Sequence, residues 1–253
     1  DFLEPQQLGM SDSGASKLVH SVRMLLEDNP SFVLMKSDVK NAFNEAVRRA
    51  TIASMQAQPS LQHMSWHAAT TLAPSFGLES QGSLWGRSPE GATQGDPEGG
   101  PWYCVTWQER PQELDATLAA VGGMARAGWD DLFQVGPPEV LFPALERFWR
   151  LVGEECGLEP QLSKSEIYSS TGTRYPAMPA DVPLAGETVG GVFFPGFLLY
   201  GVPVGSDTYV EVKMKEKVEK VAREAVQGGE LLKGEPQGLW TILRSSIMFQ
   251  FEY

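Results

Sequence analysis

The stretch "ARAGWDDLFQVGPP" (Ala125–Pro138) places two adjacent aspartates between short apolar runs. This pattern predicts the two arms of a β-hairpin over residues 124–135, with Asp130 and Asp131 near its turn. Aspartate is favoured in turns because its side chain bonds to nearby backbone, so the pair alone is compatible with a purely structural role. Whether the two carboxylates have a chemical role depends on what folds beside them.

A third carboxylate, Asp38, ends the apolar run "SFVLMKSDV", which has the character of a strand. If this strand neighbours the hairpin in one sheet, three carboxylates converge and need a counter-charge to stay ionised. Mg²⁺ prefers hard oxygen ligands and keeps coordination positions for substrate phosphates. The alternative for Asp38 is a cap on the helix that begins at Asn41.

The remaining pattern mixes helices and strands without regular alternation, which predicts an α+β fold. Helical spacing is present in residues 15–27, 41–56, 111–121, 137–157 and 208–227, and again near the C-terminus. In residues 208–227, the spacing places Val210, Met214, Val218, Val221 and Ala225 on an inward face. Residues 73–101 are predicted to be mostly loop, with Gly99, Gly100 and Pro101 delaying the next helix.

Composition narrows the classes of protein to consider. The 253 residues are 42% apolar, enough for a core, and no apolar stretch approaches the length of a membrane span. With two cysteines the chain has no disulfide framework, which favours a reducing compartment. The N-terminus lacks both an initiator methionine and a signal-peptide pattern, so we expect the chain to be part of a longer or processed protein. The net charge of −12 disfavours binding to phosphate backbones.

Taken in order, several motifs resemble a reverse transcriptase, an RNA-directed DNA polymerase, of the non-LTR retroelement type. The resemblance extends from about residue 6 to the C-terminus. The motifs are "KSDVKNAFN" (36–44), "EGATQGDPEGGP" (90–101), "GWDDLFQVGPP" (128–138), "GLEPQLSKSEIYS" (157–169) and "YGVPVGSDTYV" (200–210). It implies a palm-like antiparallel sheet packed against helices, with partial fingers in residues 1–110, palm in 111–205 and a helical region leading towards a thumb in 206–253. The rest of the fingers and thumb would lie outside residues 1–253, which together form one reverse-transcriptase-like domain.

The resemblance also implies catalytic residues. Asp38 corresponds to the first metal-binding aspartate of the palm, and Asp130 with Asp131 corresponds to the paired aspartates that complete a two-Mg²⁺ site. Lys164 corresponds to a lysine near the triphosphate that donates a proton to the leaving group.

Other positions correspond to binding residues for nucleotide, template and primer. Phe43 falls where an aromatic ring lies under the incoming sugar and excludes a 2′-hydroxyl, although its spacing also fits a helix core. Gln94 and Gly95 match a motif that contacts template and nucleotide, and Gly201 to Gly205 match the turn that grips the primer. The partners implied are an RNA template and a DNA primer.

The sequence departs from the family pattern at the hairpin itself. An aromatic residue usually stands two places before the paired aspartates, where this chain has Gly128, and Trp129 replaces a small residue. Basic residues are few; Lys36, Lys40, Arg48 and Arg49 form one modest cluster near Asp38.

These departures leave two functions open. The chain is either a palm core that polymerises deoxynucleotides, or an inactive derivative that is a structural or interaction subunit of a larger protein assembly. The first is compatible with a nuclear or cytoplasmic location, and the second also with an organelle. A third function, a hydrolase that uses the same carboxylates, is disfavoured because no serine or cysteine has the sequence context of a nucleophile.

Overall fold

The computed structural model describes residues 2–72, 76–80, 83–88, 90–92 and 96–242. The helices in this part of the chain are α1 (Gly14–Asp28), α2 (Ala42–Glu45), α3 (Arg48–Ala57), α4 (Ser65–Leu72), α5 (Gly99–Trp107), α6 (Glu109–Ala119), α7 (Pro138–Cys156), α8 (Asp207–Leu231) and α9 (Pro236–Ile242). The strands are β1 (Val33–Ser37), β2 (Phe76–Ser80), β3 (Ser83–Ser88), β4 (Met124–Gly128), β5 (Asp131–Gly136), β6 (Glu166–Ser169), β7 (Gly186–Val189), β8 (Val192–Leu199) and β9 (Val202–Gly205).

A four-stranded antiparallel sheet in the order β4-β5-β1-β6 is the centre of the larger part of the fold. Side chains alternate between its two faces. On one face Met35 and Leu132 belong to a buried cluster with residues of α5, α6 and α7, such as Tyr103 and Leu141. The fold class predicted from the sequence, α+β with a palm-like antiparallel sheet packed against helices, is therefore confirmed.

The helix after the hairpin has clear sequence signals at both ends. Pro138 occupies its first turn, where its missing N–H leaves no hydrogen bond unmade. Gly157 follows the last turn with φ of 69°, and a Cβ there would lie 2.7 Å from Val47 Cγ2. Glycine therefore both ends α7 and lets the chain pass close to Val47.

The chain divides into two compact units. The first comprises Asp1–Ser169 and Thr173–Leu184 and contains the four-stranded sheet, and the second comprises Ser170–Gly172 and Ala185–Tyr253. In the second unit, β7, β8 and β9 form an antiparallel sheet, and α8 packs on β8 and β9. The assignment of fingers, palm and thumb to residues 1–110, 111–205 and 206–253 within one domain stays a prediction.

Two local predictions are wrong. Gly99, Gly100 and Pro101 do not delay a helix, because α5 begins at Gly99. In the first turn of α5, Gly100 lies close against Trp129 of the hairpin turn.

The inward face predicted for α8 is also wrong in part. Val221 is buried, but Met214 and Val218 are 40% and 49% exposed. Tyr209 is buried instead, over Gly196 of β8. The apolar spacing of α8 continues past the short stretch that packs on β8 and β9 of its own unit. Spacing alone therefore predicts a larger buried face than the structure has. None of the described helices has the length and apolarity required to cross a membrane.

Candidate active site

The turn between β4 and β5 presents the aspartate pair. The hairpin predicted over residues 124–135 is observed: Gly128 pairs with Asp131, so Trp129 and Asp130 form its two-residue connection. Trp129 has φ of 63°, a left-handed conformation that costs energy for a bulky residue. Surrounding contacts must therefore hold this turn in place.

Two glycines make room for the Trp129 indole. A Cβ on Gly9 would lie 2.7 Å from Trp129 Cδ1, and a Cβ on Gly100 would lie 2.2 Å from Trp129 Cζ3. The N-terminal segment is attached to the same hairpin, since Ala127 N–H donates to the carbonyl of Gln6 at 2.7 Å. The indole therefore packs where the N-terminal segment, the hairpin turn and α5 meet.

Asp38 follows directly on β1 and is held by its backbone. Its N–H donates to Ser165 Oγ at 3.2 Å, and its carbonyl accepts from Gln161 N–H at 2.8 Å. Ser165 is fully buried and in turn donates to the carbonyl of Gln161 at 3.1 Å. The loop after α7 thus fixes the direction in which β1 ends. Sequence reasoning did not identify Ser165, whose only signal is its place next to Lys164.

The sheet brings the three carboxylates together at one end. Ser37 pairs with Leu132, so Asp38 and Asp131 are the next residues on neighbouring antiparallel strands. Asp130 adjoins them in the turn, and both Asp38 and Asp131 act electrostatically on its carboxyl group. The predicted neighbourhood of strand and hairpin is therefore observed.

Charge and burial act together on Asp130. Burial raises the pKa of Asp130 above its ordinary value, and the charges of Asp131 and Asp38 raise it further. A backbone hydrogen bond within Asp130 and the charge of Lys36 oppose this rise. The carboxyl group is thus costly to ionise unless more positive charge approaches.

Two lysines supply positive charge to the cluster. Lys36 Nζ lies 3.2 Å from Asp131 Oδ1, and both side chains are about three-quarters buried. Lys164 Nζ lies 4.0 Å from Asp38 Oδ2 and is 72% exposed. Lys164 is therefore at the exposed edge of the cluster, whereas Lys36 is partly buried within it.

The donor set has the chemistry of a magnesium site. Carboxylate oxygens are the ligands that Mg²⁺ prefers, and Asp38, Asp130 and Asp131 supply them on adjacent elements. Within the described ranges, no group of three or more His, Cys, Asp or Glu side chains is already arranged to hold a metal. The residues fit the ion by type, and closing the site requires side-chain movement.

Phe43 lies in α2 and is half-buried. Its ring stacks on Tyr103, with centroids 4.9 Å apart and planes at 29°. Tyr103 is fully buried, and its hydroxyl has no hydrogen-bond partner among the described residues. Burial raises the pKa of Tyr103 well above its usual range, and the charges of Asp130 and Asp38 add to the rise. A neutral phenol therefore lies beneath Phe43 and within electrostatic reach of the carboxylates.

The structure does not test the other predicted binding residues, which stay predictions. Gln94 and Gly95 lie outside the described residues. Gly201, with φ of 79°, forms the two-residue turn between β8 and β9 together with Tyr200. Gly205 ends β9 close to Gly196, where a Cβ would lie 2.4 Å from Gly196 Cα. Both glycines belong to the second unit, and they adopt the backbone conformations that its β8–β9 hairpin requires.

Most of the basic residues near Asp38 are already hydrogen-bonded or ion-paired to other groups of the protein. Arg48 is buried, and its guanidinium donates to the carbonyls of Gly91 at 2.8 Å and Glu90 at 3.3 Å. Lys40 Nζ pairs with Glu159 at 3.6 Å. The cluster predicted from spacing is therefore not one free phosphate-binding patch.

A groove lies elsewhere in the first unit. It has a volume of about 630 Å³ between α6 and α7, and Leu114, Pro143 and Phe148 line it. None of the three aspartates contributes to its walls.

Comparison with known proteins identifies no matching family model and no matching curated protein. Among solved structures, apo telomerase from Candida tropicalis, truncated from its C-terminal domain, aligns with a TM-score of 0.46 at 12% identity. That alignment covers 63% of this chain and 36% of the telomerase chain. Telomerase from Candida albicans, in complex with a TWJ fragment of telomeric RNA, aligns with a TM-score of 0.49 at 13% identity, over 69% of this chain and 32% of that one. The chain thus spans about a third of the length of these two proteins.

Proposed function

We propose that this chain is the palm core of a reverse transcriptase of the non-LTR retroelement type. It would add deoxynucleotides to a DNA primer along an RNA template by two-metal phosphoryl transfer. The observation that supports this most is the meeting of Asp38 with Asp130 and Asp131 at one end of an antiparallel sheet. These residues are distant in sequence, so a turn or cap role explains each of them but not their convergence.

Each residue has a defined part in the proposed reaction. Asp38, Asp130 and Asp131 would hold two Mg²⁺ ions, whose chemistry is to activate the primer hydroxyl and neutralise the leaving pyrophosphate. Lys164, exposed beside Asp38, would donate a proton to the leaving group.

Phe43 would orient the sugar of the incoming nucleotide. Its ring rests on Tyr103 and so cannot retreat into the core to admit a 2′-hydroxyl. Because Tyr103 supports the Phe43 ring in this way, we expect the site to select deoxynucleotides. Gln94 and Gly95 would contact template and nucleotide, and Gly201 and Gly205 would shape a turn against the primer.

The direct test is primer extension by the full-length protein. D130N, which keeps the shape of the side chain but removes its charge, should abolish Mg²⁺-dependent extension on an RNA template. D12N changes an exposed aspartate of the same unit and should leave extension unchanged. Extension by D130N at the wild-type rate would refute the mechanism.

A second function, a structural or interaction subunit without catalysis, is favoured by the net charge of −12 and by the engaged state of Lys40 and Arg48. It predicts no measurable affinity for an RNA–DNA duplex at about 0.15 M salt, where even weak non-specific binders reach roughly 10⁻⁴ to 10⁻⁶ M. Duplex binding in that range or tighter would contradict it.

A further inference from the structure

Lys36 occupies a place in the carboxylate cluster that the proposed chemistry does not use. It stands two residues before Asp38, so the alternation of β1 points both side chains to the same face of the sheet. Its partner on β5 is Phe133, which lies two residues after Asp131 and also shares that face. Lys36, Asp38 and Asp131 are therefore neighbours by strand geometry.

The Lys36 ammonium is held on two sides. Nζ lies 3.2 Å from Asp131 Oδ1 and 6.0 Å from the centre of the Phe133 ring. The Lys36 and Asp131 side chains are only 27% and 26% exposed, so solvent screens their attraction less than on an open surface. A cation over an aromatic face gains further attraction. The lysine is thus a fixed positive charge of the cluster.

This charge lies 3.2 Å from an oxygen of Asp131, one of the carboxylates that would hold a divalent cation. Asp131 Oδ1 lies 3.2 Å from the Lys36 ammonium, so its lone pairs are engaged by that charge. A metal ion bound by the same carboxylate would be repelled by the ammonium. The three carboxylates, for their part, need positive charge in either state. Ammonium and metal are therefore alternative counter-charges for Asp131.

We propose that Lys36 is a built-in competitor of the metal, bound to Asp131 in the metal-free protein and displaced from it when a divalent cation binds. This inference rests on the proposed function, since it concerns the same three carboxylates. In this role Lys36 is a positioning residue: it keeps the cluster folded without metal and sets the concentration at which metal enters.

The test measures metal affinity directly. Free Mn²⁺ is followed by electron paramagnetic resonance during titration of the purified full-length protein, and so no polymerase activity is needed. K36M keeps the length and apolar stem of the side chain but removes its charge. We expect K36M to bind Mn²⁺ about three- to tenfold more tightly than wild type, and K36R to remain near wild type.

Lys40 provides a matched control. It lies near Asp38 in sequence but pairs with Glu159, so K40M should change Mn²⁺ affinity by less than about twofold. In a D131N background, K36M should add little, because its partner carboxylate is gone. If K36M fails to fold, K36Q makes the same charge change with a polar side chain.

The outcomes separate the two proposals. Mn²⁺ binding that is lost in D130N but is the same in wild type and K36M would overturn the role of Lys36 and leave the metal site intact. Weaker binding in K36M would overturn it too, because Lys36 would then support the metal. Absence of any binding that depends on Asp130, in every variant, would overturn the metal site and the competitor together.

Discussion

Replacing Gly100 with alanine should destabilise the first unit, although alanine is the better helix former. Gly100 is in the first turn of α5, and a Cβ there would lie 2.2, 2.8 and 2.9 Å from three carbons of the Trp129 ring. Ordinary carbon–carbon contact begins near 3.5 Å, so the indole would have to move by about 1 Å. Trp129 cannot easily give way, because Gly9 and its backbone enclose the ring from another side.

The expected size follows from two opposed effects. Overpacking of this kind costs about 1–3 kcal/mol, and exchanging glycine for alanine in a helix returns about 0.5–1 kcal/mol. We expect G100A to lower the free energy of unfolding by about 1–2 kcal/mol. For a chain of this size, that is a fall in Tm of roughly 2–8 °C.

The assay is urea and thermal unfolding followed by circular dichroism and tryptophan fluorescence. G153A is the matched control, because Gly153 is inside α7 of the same unit and a Cβ there meets nothing closer than Leu158 O at 3.7 Å. G153A should be neutral or stabilising. In a W129A background, G100A should lose most of its cost. If G100A is as stable as wild type, the indole does not fill the space above α5, and the account of the turn is wrong.

Three further predictions concern buried charge and thiols. Because burial raises the pKa of Asp130, the folded protein binds a proton there more tightly than the unfolded chain, and stability falls as pH rises from the ordinary aspartate pKa through the raised one. D130N without metal should therefore be more stable than wild type at pH 7 in urea titrations, and the difference should shrink as pH falls through the raised pKa towards the range in which an ordinary aspartate titrates. Asp115 is buried and accepts from Ala125 N–H at 2.9 Å and from Arg126 at 2.5 Å, so D115N should lower stability by about 2–3 kcal/mol in chemical denaturation, and a loss below about 0.5 kcal/mol would contradict the contacts. Burial raises the pKa values of Cys104 and Cys156 to about 12, so iodoacetamide at pH 8 should label neither thiol until urea unfolds the chain, as read by mass spectrometry.

The elements that sequence alone predicts well are those with local signals. The α7 helix begins with proline and ends at Gly157, and each signal acts within a few residues. The hairpin at residues 124–135 follows from alternation and turn residues in the same way. The convergence of Asp38 with the hairpin required a further inference about strand neighbours, which the motif order supplied.

The features that local sequence signals do not predict depend on contacts between segments distant in the chain. Gly100 reads as a helix breaker locally, but it is needed because Trp129, from another element, fills the adjacent space. Arg48 belongs by sequence to a basic cluster near Asp38, but its guanidinium binds the carbonyls of Glu90 and Gly91, which lie far along the chain. Lys36 could have been placed beside Asp38 by two-residue alternation, since that signal is local. Its pairing with Asp131 could not, because it depends on the register of β5.

Gly128 and Trp129, which depart from the pattern of the family that the sequence resembles, have a structural role of their own in the turn. A tryptophan with positive φ directs its indole towards Gly9 and Gly100, and so fills space between the N-terminal segment and α5. Since the same turn carries Asp130, whatever fixes Trp129 also fixes that carboxylate. A turn kept this way is consistent with a metal site that still has to hold its geometry, and the stability of G100A and the Mn²⁺ affinity of D130N report on the two halves of that argument independently.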